Sequence, residues 1–273
     1  MSITTTASAA NAGDTGEFAA VDHASDARWF VDFMDIANAL PDYAPIRGAL
    51  ADALEPLDGR HVLDVGCGTG DDARELASRV GSTGSVLGVD LSVAMVTEAT
   101  ARNTAIGDLP VRFRVADLRE LSLDGATFDA TRAKLTLAHC TDIEAAADEL
   151  IRVTRSGGRI ATFDYDFETL VVDHPDTAAT RRVVHAWVDG HHNGWVGRQV
   201  ARHFRSRGLR DVTVTPRTVL MPFGFFERAV GGNIANGLPP EELGRWWEPL
   251  RAAEIEGWFF AAQTGFVVAA TRP

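Results

Sequence analysis

Asp64 closes on the apolar run "HVLDV", Asp90 ends "SVLGVD", and Asp117 follows "VRFRVA". Between the first two lies "GCGTGDD", in which Gly66, Gly68 and Gly70 alternate with other residues and Asp71 and Asp72 follow at once. Glycines directly after a strand let the backbone turn tightly and let a ligand approach without meeting a Cβ. A carboxylate about twenty residues further on, here Asp90, can accept hydrogen bonds from the two hydroxyls of a ribose. The pattern therefore predicts a nucleoside ligand. It differs from the dinucleotide fingerprint G-x-G-x-x-G, whose pyrophosphate rests on the N-terminus of the next helix. Asp71 and Asp72 occupy that helix start. They suit the positive end of the helix dipole, but they would repel a pyrophosphate. The expected ligand carries no phosphate and a net positive charge.

Other residues offer chemistry further along. His139 follows the strand-like "TFDATRAKLTLAH" at its ligand-facing end. It is the candidate general base for a hydroxyl acceptor, with a neutral histidine orienting the adjoining loop as the alternative. Asp164, Tyr165, Asp166 and His174, in "FDYDFETLVVDHPD", are expected near the same rim. His191 and His192 in "GHHN" read as a solvated helix end, and without a third ligand at metal spacing they make no metal site. Arg132 and Lys134 interrupt an otherwise apolar strand. Buried cations are costly unless paired, so they are expected at the mouth of the site, facing carboxylates or an anionic acceptor, or as paired cations at the strand end. Trp29, Phe30, Phe33, Trp246, Trp247, Trp258 and Phe259 read as core or as an apolar chamber for an acceptor. Cys67, between glycines, reads as a small residue rather than a nucleophile.

These residues need a frame. "DDARELASRV", "VAMVTEATARN" and "IEAAADELIRVT" have helical periodicity and alternate with strand-like "HVLDVG", "SVLGVD", "VRFRVAD" and "GGRIATFDYD". Such alternation predicts a parallel sheet covered on both faces. "TAATRRVVHAWVDGHH" and "GRQVARHFRSRG" read as helices, and "LRDVTVTPRTVL" and "GFVVAATRP" as strands. A helical insertion over 221–257, including the proline-led "PPEELGRWWEPLRAAE", would cover one edge or mouth of the sheet. The aromatic-rich helical stretch before residue 55 is either a lid or ordinary packing.

Residues 1–20 are expected to be a disordered tail, and 21–273 a single domain with a ligand-binding core over 40–165 and acceptor-side helices and insertion over 166–260. The chain has 273 residues, 45% of them hydrophobic, and a net charge of −12. Such an acidic chain has no electrostatic drive toward nucleic acid. The expected partner is a small molecule. Two distant cysteines, Cys67 and Cys140, make no disulfide framework. No apolar run is long enough to span a bilayer, and no secretory signal pattern opens the sequence. The cytoplasm is the expected location; whether the chain is monomeric or homodimeric stays open.

S-adenosylmethionine is a nucleoside with a sulfonium, an ammonium and one carboxylate, and no phosphate. The sequence resembles the class I methyltransferases that use it. "VLDVGCGTG", "VLGVDLS", "RFRVADLREL" and "ELIRVTRSGGRIATFD" are similar to their successive motifs, with Ser156 where proline is usual. The resemblance covers about 40–165 well and "GFVVAATRP" more loosely. It implies a Rossmann-like α/β fold: a mostly parallel seven-stranded sheet, helices on both faces, a helical N-terminal lid and a C-terminal insertion. It also implies that Asp64 and the backbone near Gly66 and Cys67 hold the methionine end, and that Gly68 and Gly70 permit close approach. Asp90 would bind the ribose, with Leu91 and Met95 near the adenine. Asp117 would accept from the adenine amino group, with Ala116 and Leu118 beside it. Lys134 is included on the cofactor side. The expected activity is methyl transfer to a small organic acceptor such as a secondary metabolite, the atom methylated being open. The alternative is a protein that uses the sulfonium's charge for a cyclisation or rearrangement. An oxidoreductase is disfavoured by Asp71 and Asp72, and no long groove for a protein substrate is visible in the sequence.

Overall fold

The computed structural model describes residues 15–107 and 109–273. Its centre is one sheet. Strands β1 (His61–Val65), β2 (Ser85–Asp90), β3 (Val111–Val115), β4 (Phe128–Lys134) and β5 (Thr154–Tyr165) run parallel in the order β3-β2-β1-β4-β5. β8 (Ala261–Thr271) then pairs antiparallel with β5, and also with β6 (Val171–Val172) and β7 (Arg210–Leu220). The sheet has eight strands rather than the seven expected. The extra one is the two-residue β6, too short to be separated by pattern from the turns around it.

Local chemistry explains the frame. The central parallel strands are buried on both faces, as their near-continuous apolar runs require: β1 exposes only His61, whereas the edge strand β3, with Arg112 and Arg114, is largely exposed. β7 is mostly exposed and contains Pro216. A missing backbone donor is tolerated there because, among the described residues, β7 pairs only with β8 and is an edge strand. The helices α1 (Ala27–Ala39), α2 (Tyr43–Ala53), α3 (Asp71–Val80), α4 (Val93–Ile106), α5 (Ile143–Val153), α6 (Thr177–Asp189) and α7 (Val196–Ser206) precede the inserted α8 (Phe223–Val230) and α9 (Pro240–Glu256). Ser92 caps α4 by accepting from Met95 N, and Asp142 caps α5 by accepting from Ala145 N. No helix among the described residues is long and apolar enough to cross a membrane.

The chain turns away from β1 in opposite directions, to β2 on one side and β4 on the other. That reversal opens a crevice at the carboxyl ends of the strands, where open α/β sheets hold ligands.

The expected tail needs correction. Residues 1–14 lie outside the described residues, but Thr15–His23 is a 3-10 helix. Thr15 Oγ1 donates to the Ala229 carbonyl, and Asn233 Nδ2 donates to Thr15 Oγ1 at 2.5 Å. At its other end Asp22 accepts from Ser92 Oγ and from the N–H groups of Val93 and Ala94 at 2.6, 2.7 and 3.1 Å. The segment is thus fastened to α4 and to α8. A second small core, Val21, Phe30, Val31 and Met95, lies beneath it. The stretch that read as disorder is rich in Ala, Thr, Ser and Gly, and Phe18 within it and Val21 just after it do the anchoring.

Candidate functional site

A cavity of about 280 Å³ opens at the reversal point, at the lower end of the size range for small-ligand sites. Its wall has two unlike halves.

The first half is built by the turns after β1, β2 and β3. Gly66, Cys67, Gly68, Asp90, Leu91, Met95, Ala116, Asp117, Leu118 and Lys134 all line it. Gly66 holds φ +66° and Gly68 φ +51°, a left-handed conformation that side chains rarely adopt. A Cβ on Gly66 would also collide with the Thr136 side chain. Asp90 fixes the turn: one oxygen accepts from Gly68 N at 2.8 Å and the other from Ser92 N at 2.9 Å. Burial raises its pKa against those two bonds. Leu91 is 50% exposed toward the opening. Asp117 accepts from the backbone N–H of Arg119 at 2.8 Å and pairs with its guanidinium at 2.6 Å. That pairing lowers the Asp117 pKa. Arg119 also donates to Thr141 Oγ1 at 2.7 Å.

Two expected cofactor residues stand behind this wall rather than on it. Gly70 is the left-handed N-cap of α3, packed against Phe113 and Arg74. Asp64 is buried, 3.6 Å from Arg132, and burial pushes its pKa up to about 6. Neither residue lines the cavity; Asp64 faces Arg132 behind the glycine turn. Arg132 is likewise not at the mouth: it is 2% exposed and paired with Asp72. Lys134 reaches the cavity and pairs with Asp72 at 2.5 Å. Burial alone would raise the Asp72 pKa, but Arg132 and Lys134 hold it well below the carboxylate range. Asp71 is paired with Arg74 at 2.5 Å and accepts from Asn38 and Thr69. The two aspartates are therefore neutralised locally. Their expected repulsion of a pyrophosphate is weaker than their bare charges suggest, because each has a cation at contact distance.

The second half of the wall comes from elements far apart in the chain. The 3-10 segment gives Phe18, Ala19 and Val21, and α1 gives Phe33, Met34, Ala37 and Asn38. The N-terminal helices are thus a lid on the cavity. Of the seven aromatics expected in core or chamber, only Phe33 lines the cavity. Phe30, Trp246 and Trp247 are buried core, while Trp258 is half exposed. The chamber instead uses Phe18, Tyr43, Tyr165, Phe167, Trp187 and Phe225. Tyr165 donates to the Tyr43 hydroxyl at 2.8 Å.

His139 lines the cavity, in a 3-10 turn over Leu137–His139. Beneath it Asp164, also buried, accepts from Ala138 N at 3.2 Å. Burial raises the Asp164 pKa to about 8. His174 and Asp166 do not line the cavity: His174 stacks on Trp246, and Asp166 pairs with Arg198. His191 is a correction. It is no solvated helix end but a buried wall residue 6.0 Å from the His139 ring, stacked 3.7 Å from Phe167. His192 is exposed. His191 Nδ1 lies 2.8 Å from the Trp187 carbonyl. A carbonyl only accepts, so the proton is on Nδ1 and the lone pair on Nε2. Burial and the neighbouring histidines lower the His139 pKa to about 3, and burial lowers that of His191 to about 4. Both are neutral imidazoles near pH 7. Sequence reasoning missed His191 because its signal is tertiary: Asn193 N donates to the Ala138 carbonyl at 3.0 Å, docking "GHHN" onto the His139 turn.

Comparisons with known proteins bear on the family and the fold. A family model described as "Methyltransferase domain" matches residues 62–158. The chain is 35% identical over 257 residues to an uncharacterised 37.1 kDa protein in transposon TN4556 of Streptomyces fradiae, covering 88% of this chain and 70% of that one. It is 32% identical over 124 residues to the nocamycin O-methyltransferase of Saccharothrix syringae, covering 45% of this chain and 44% of that enzyme. Among solved structures, the YcgJ protein of Bacillus subtilis superposes with a TM-score of 0.60 at 18% identity, covering 83% of this chain and 98% of that one; at this identity the likeness concerns the fold. With the glycine turn, the strand-end carboxylates and the strand order in place, the chain belongs to the class I S-adenosylmethionine-dependent methyltransferases.

Proposed function

We propose that the chain methylates a hydroxyl oxygen of a small, uncharged, largely aromatic acceptor. The observation that carries the reading is the two-part cavity: a polar cofactor wall facing a chamber of aromatic residues and two neutral histidines. The glycine cradle and the Asp90 carboxylate fit a nucleoside with no phosphate. Asp90 would hold the ribose, Leu91 and Met95 would pack on the adenine, and Asp117 would share its carboxylate between Arg119 and the adenine amino group. Gly66, Cys67 and Gly68 would carry the methionine end, over Asp64 and Gly70. Lys134, already paired with Asp72, would lie beside that end. Bound S-adenosylmethionine supplies an electrophilic methyl group.

The chain's own residues do the rest. The Phe18 and Phe33 lid excludes water and aligns the acceptor, and alignment alone can supply on the order of 7–11 kcal/mol in favourable cases. His191 presents Nε2 as an acceptor for the hydroxyl proton, with His139 as its partner across the chamber. Burial keeps both rings neutral and ready to accept, and the same burial favours sharing the proton in the transition state over holding it as a free imidazolium. The nocamycin relative, named an O-methyltransferase, supports the choice of oxygen.

The test is incubation with S-adenosylmethionine and a set of neutral phenols and hydroxyquinones, reading S-adenosylhomocysteine and methylated product by mass spectrometry. Both are expected to rise together. An acceptor that rearranges while S-adenosylmethionine is left unconsumed would place the chain with the non-transferring reading instead.

A further inference from the structure

Gln263 is the third residue of β8, opposite Val219 of β7. It is 1% exposed, lines the cavity, and among the described residues neither its amide oxygen nor its amide nitrogen has a hydrogen-bond partner. Native proteins leave few buried polar groups unmatched, and those few need a reason. A structural reason is missing here. The neighbouring polar groups are engaged elsewhere: the Tyr165 hydroxyl with Tyr43, and Thr264 with Thr218 and Thr169. The next residues of β8 on its face, Gly265, Val267 and Ala269, opposite Tyr165, Phe163 and Ala161, are apolar. An apolar residue would serve packing at this position better than an amide. Trp187 repeats the pattern: it lines the same chamber and its Nε1 donor is also buried without a partner.

Charge restricts what could answer these groups. The charged residues on the wall are Asp72, Asp90, Asp117, Arg119 and Lys134, from strand ends, turns and the first turn of α3, and Lys134, the one nearest the chamber at 5.7 Å from the Tyr43 ring, is already paired with Asp72. None belongs to the elements that bring Gln263, Trp187, Tyr165, Phe167 and Phe225 together. An anionic group at Gln263 would be a buried charge without a counter-ion, so the matching group is neutral. A carboxamide offers one donor and one acceptor side by side in one plane, whichever way it is flipped. Its complement is a planar edge with one acceptor beside one donor.

We infer that Gln263 anchors the methyl acceptor by pairing its amide with a neutral edge on which a carbonyl stands beside an N–H or O–H, as in a lactam or a hydroxy-ketone, with Trp187 Nε1 as a second donor. The inference rests on the methyl-transfer reading of the cavity. Gln263 is then a specificity residue: it selects the acceptor and sets its orientation, without touching the cofactor.

The test is calorimetry on the protein saturated with S-adenosylhomocysteine, using 2-quinolone and coumarin as probes. The two have the same shape and carbonyl, but coumarin has a ring oxygen where 2-quinolone has the N–H. The wild type is expected to prefer 2-quinolone by tenfold to a hundredfold, the worth of about one to two hydrogen bonds. Gln263→Leu and Gln263→Met are expected to erase the preference, with coumarin affinity held or improved. Equal binding of the two probes, binding of neither, or a preference that survives both substitutions would overturn the inference. Binding of S-adenosylhomocysteine by each variant reports that it is folded. Failure of the wild type to bind S-adenosylhomocysteine would overturn the methyl-transfer reading itself, and is read separately from the probe comparison.

Discussion

The two halves of the cavity differ in how they satisfy their polar groups. On the cofactor side the charged residues that line the cavity have partners within the protein: Asp90 holds two N–H groups, Asp117 holds Arg119, and Asp72 is paired with Arg132 and Lys134, while the buried atoms left without a hydrogen bond there, Asp64 Oδ2, Arg132 Nε and one Asp72 oxygen, belong to an ion-paired cluster. On the acceptor side His139 Nδ1, Trp187 Nε1 and both ends of the Gln263 amide are buried with none. A side already satisfied is preorganised, and a ligand there joins existing hydrogen bonds. A side left unsatisfied is selective, because only a ligand with complementary groups removes the cost of those buried atoms. The cofactor is thus expected to bind well alone, and the acceptor to bind by its polar edge as much as by its ring.

The largest expected effect lies on the unsatisfied side. His191→Ala is expected to lower kcat by about 10²–10⁴-fold, the usual worth of a positioned base, while leaving the affinity for S-adenosylhomocysteine within a few-fold of wild type. His139→Ala is expected to cost less, because no hydrogen bond fixes its tautomer. Steady-state kinetics on both variants, with cofactor affinity from calorimetry, decides the order. If His139→Ala proves the more damaging, the roles exchange; if neither changes kcat, the chamber works by alignment alone.

Asp90→Ala comes next and acts on the satisfied side. It removes the ribose contact and also leaves Gly68 N and Ser92 N without their acceptor. Cofactor affinity is expected to fall by on the order of a hundredfold, near 3 kcal/mol for lost hydrogen bonds to a charged group. The complementary outcome sharpens the comparison: kcat at saturating cofactor should hold far better than in His191→Ala.

The same contrast explains what could be read in advance. The cofactor half is local in sequence. Strand, glycine turn and carboxylate recur within about 30 residues, and backbone constraints leave few residue types for each place, so Gly66, Gly68, Asp90 and Asp117 were legible one by one. What was not legible there was pairing: Asp72 shows as a free carboxylate in sequence, and only the register of β4 beside β1 brings Arg132 to it. The acceptor half is assembled from residues 18, 33, 139, 187, 191, 225 and 263, and no spacing rule links them. The tryptophans of α9 attracted attention by type and turned out to be core. Gln263, a single polar residue in a strand, and Phe18, within a stretch of low complexity, attracted none.

A smaller effect concerns the strap between the halves. Asp22 ties the 3-10 segment to the N-terminus of α4, and the hydrogen bonds from Ser92, Ala94 and Val93 lower its pKa against the cost of burial. Asp22→Ala is expected to cost about 1 kcal/mol, the typical worth of a lost helix cap, seen as a Tm lowered by about 2–4 °C for a chain of this size. The effect should be larger with S-adenosylhomocysteine bound than without it, since the lid closes over that ligand. An equal loss in both states would make Asp22 a cap for α4 and nothing more.

The smallest expected effect is a flat line. His139 and His191, with pKa values lowered to about 3 and about 4, stay neutral from pH 8 down to pH 5. If a neutral imidazole is what accepts the acceptor's proton, log(kcat/KM) should show no acid limb near 6.5, where a solvated histidine titrates. Stability behaves differently. Above pH 6.5 these histidines are neutral in both the folded and unfolded states and contribute no slope. Below it the unfolded chain takes up protons that the fold refuses, so their contribution falls as pH drops toward 4. Asp164 acts in the other direction, since the fold keeps its proton up to about pH 8 while the unfolded chain loses it near 3.8. Subtracting denaturation curves of His191→Phe from wild type between pH 4 and 7 isolates the histidine slope, which should be shallower in the variant. A rate limb near 6.5 together with no change of slope would mean that water reaches His191, and the contrast between a satisfied cofactor side and an unsatisfied, buried acceptor side would fail at the residue on which the chemistry depends.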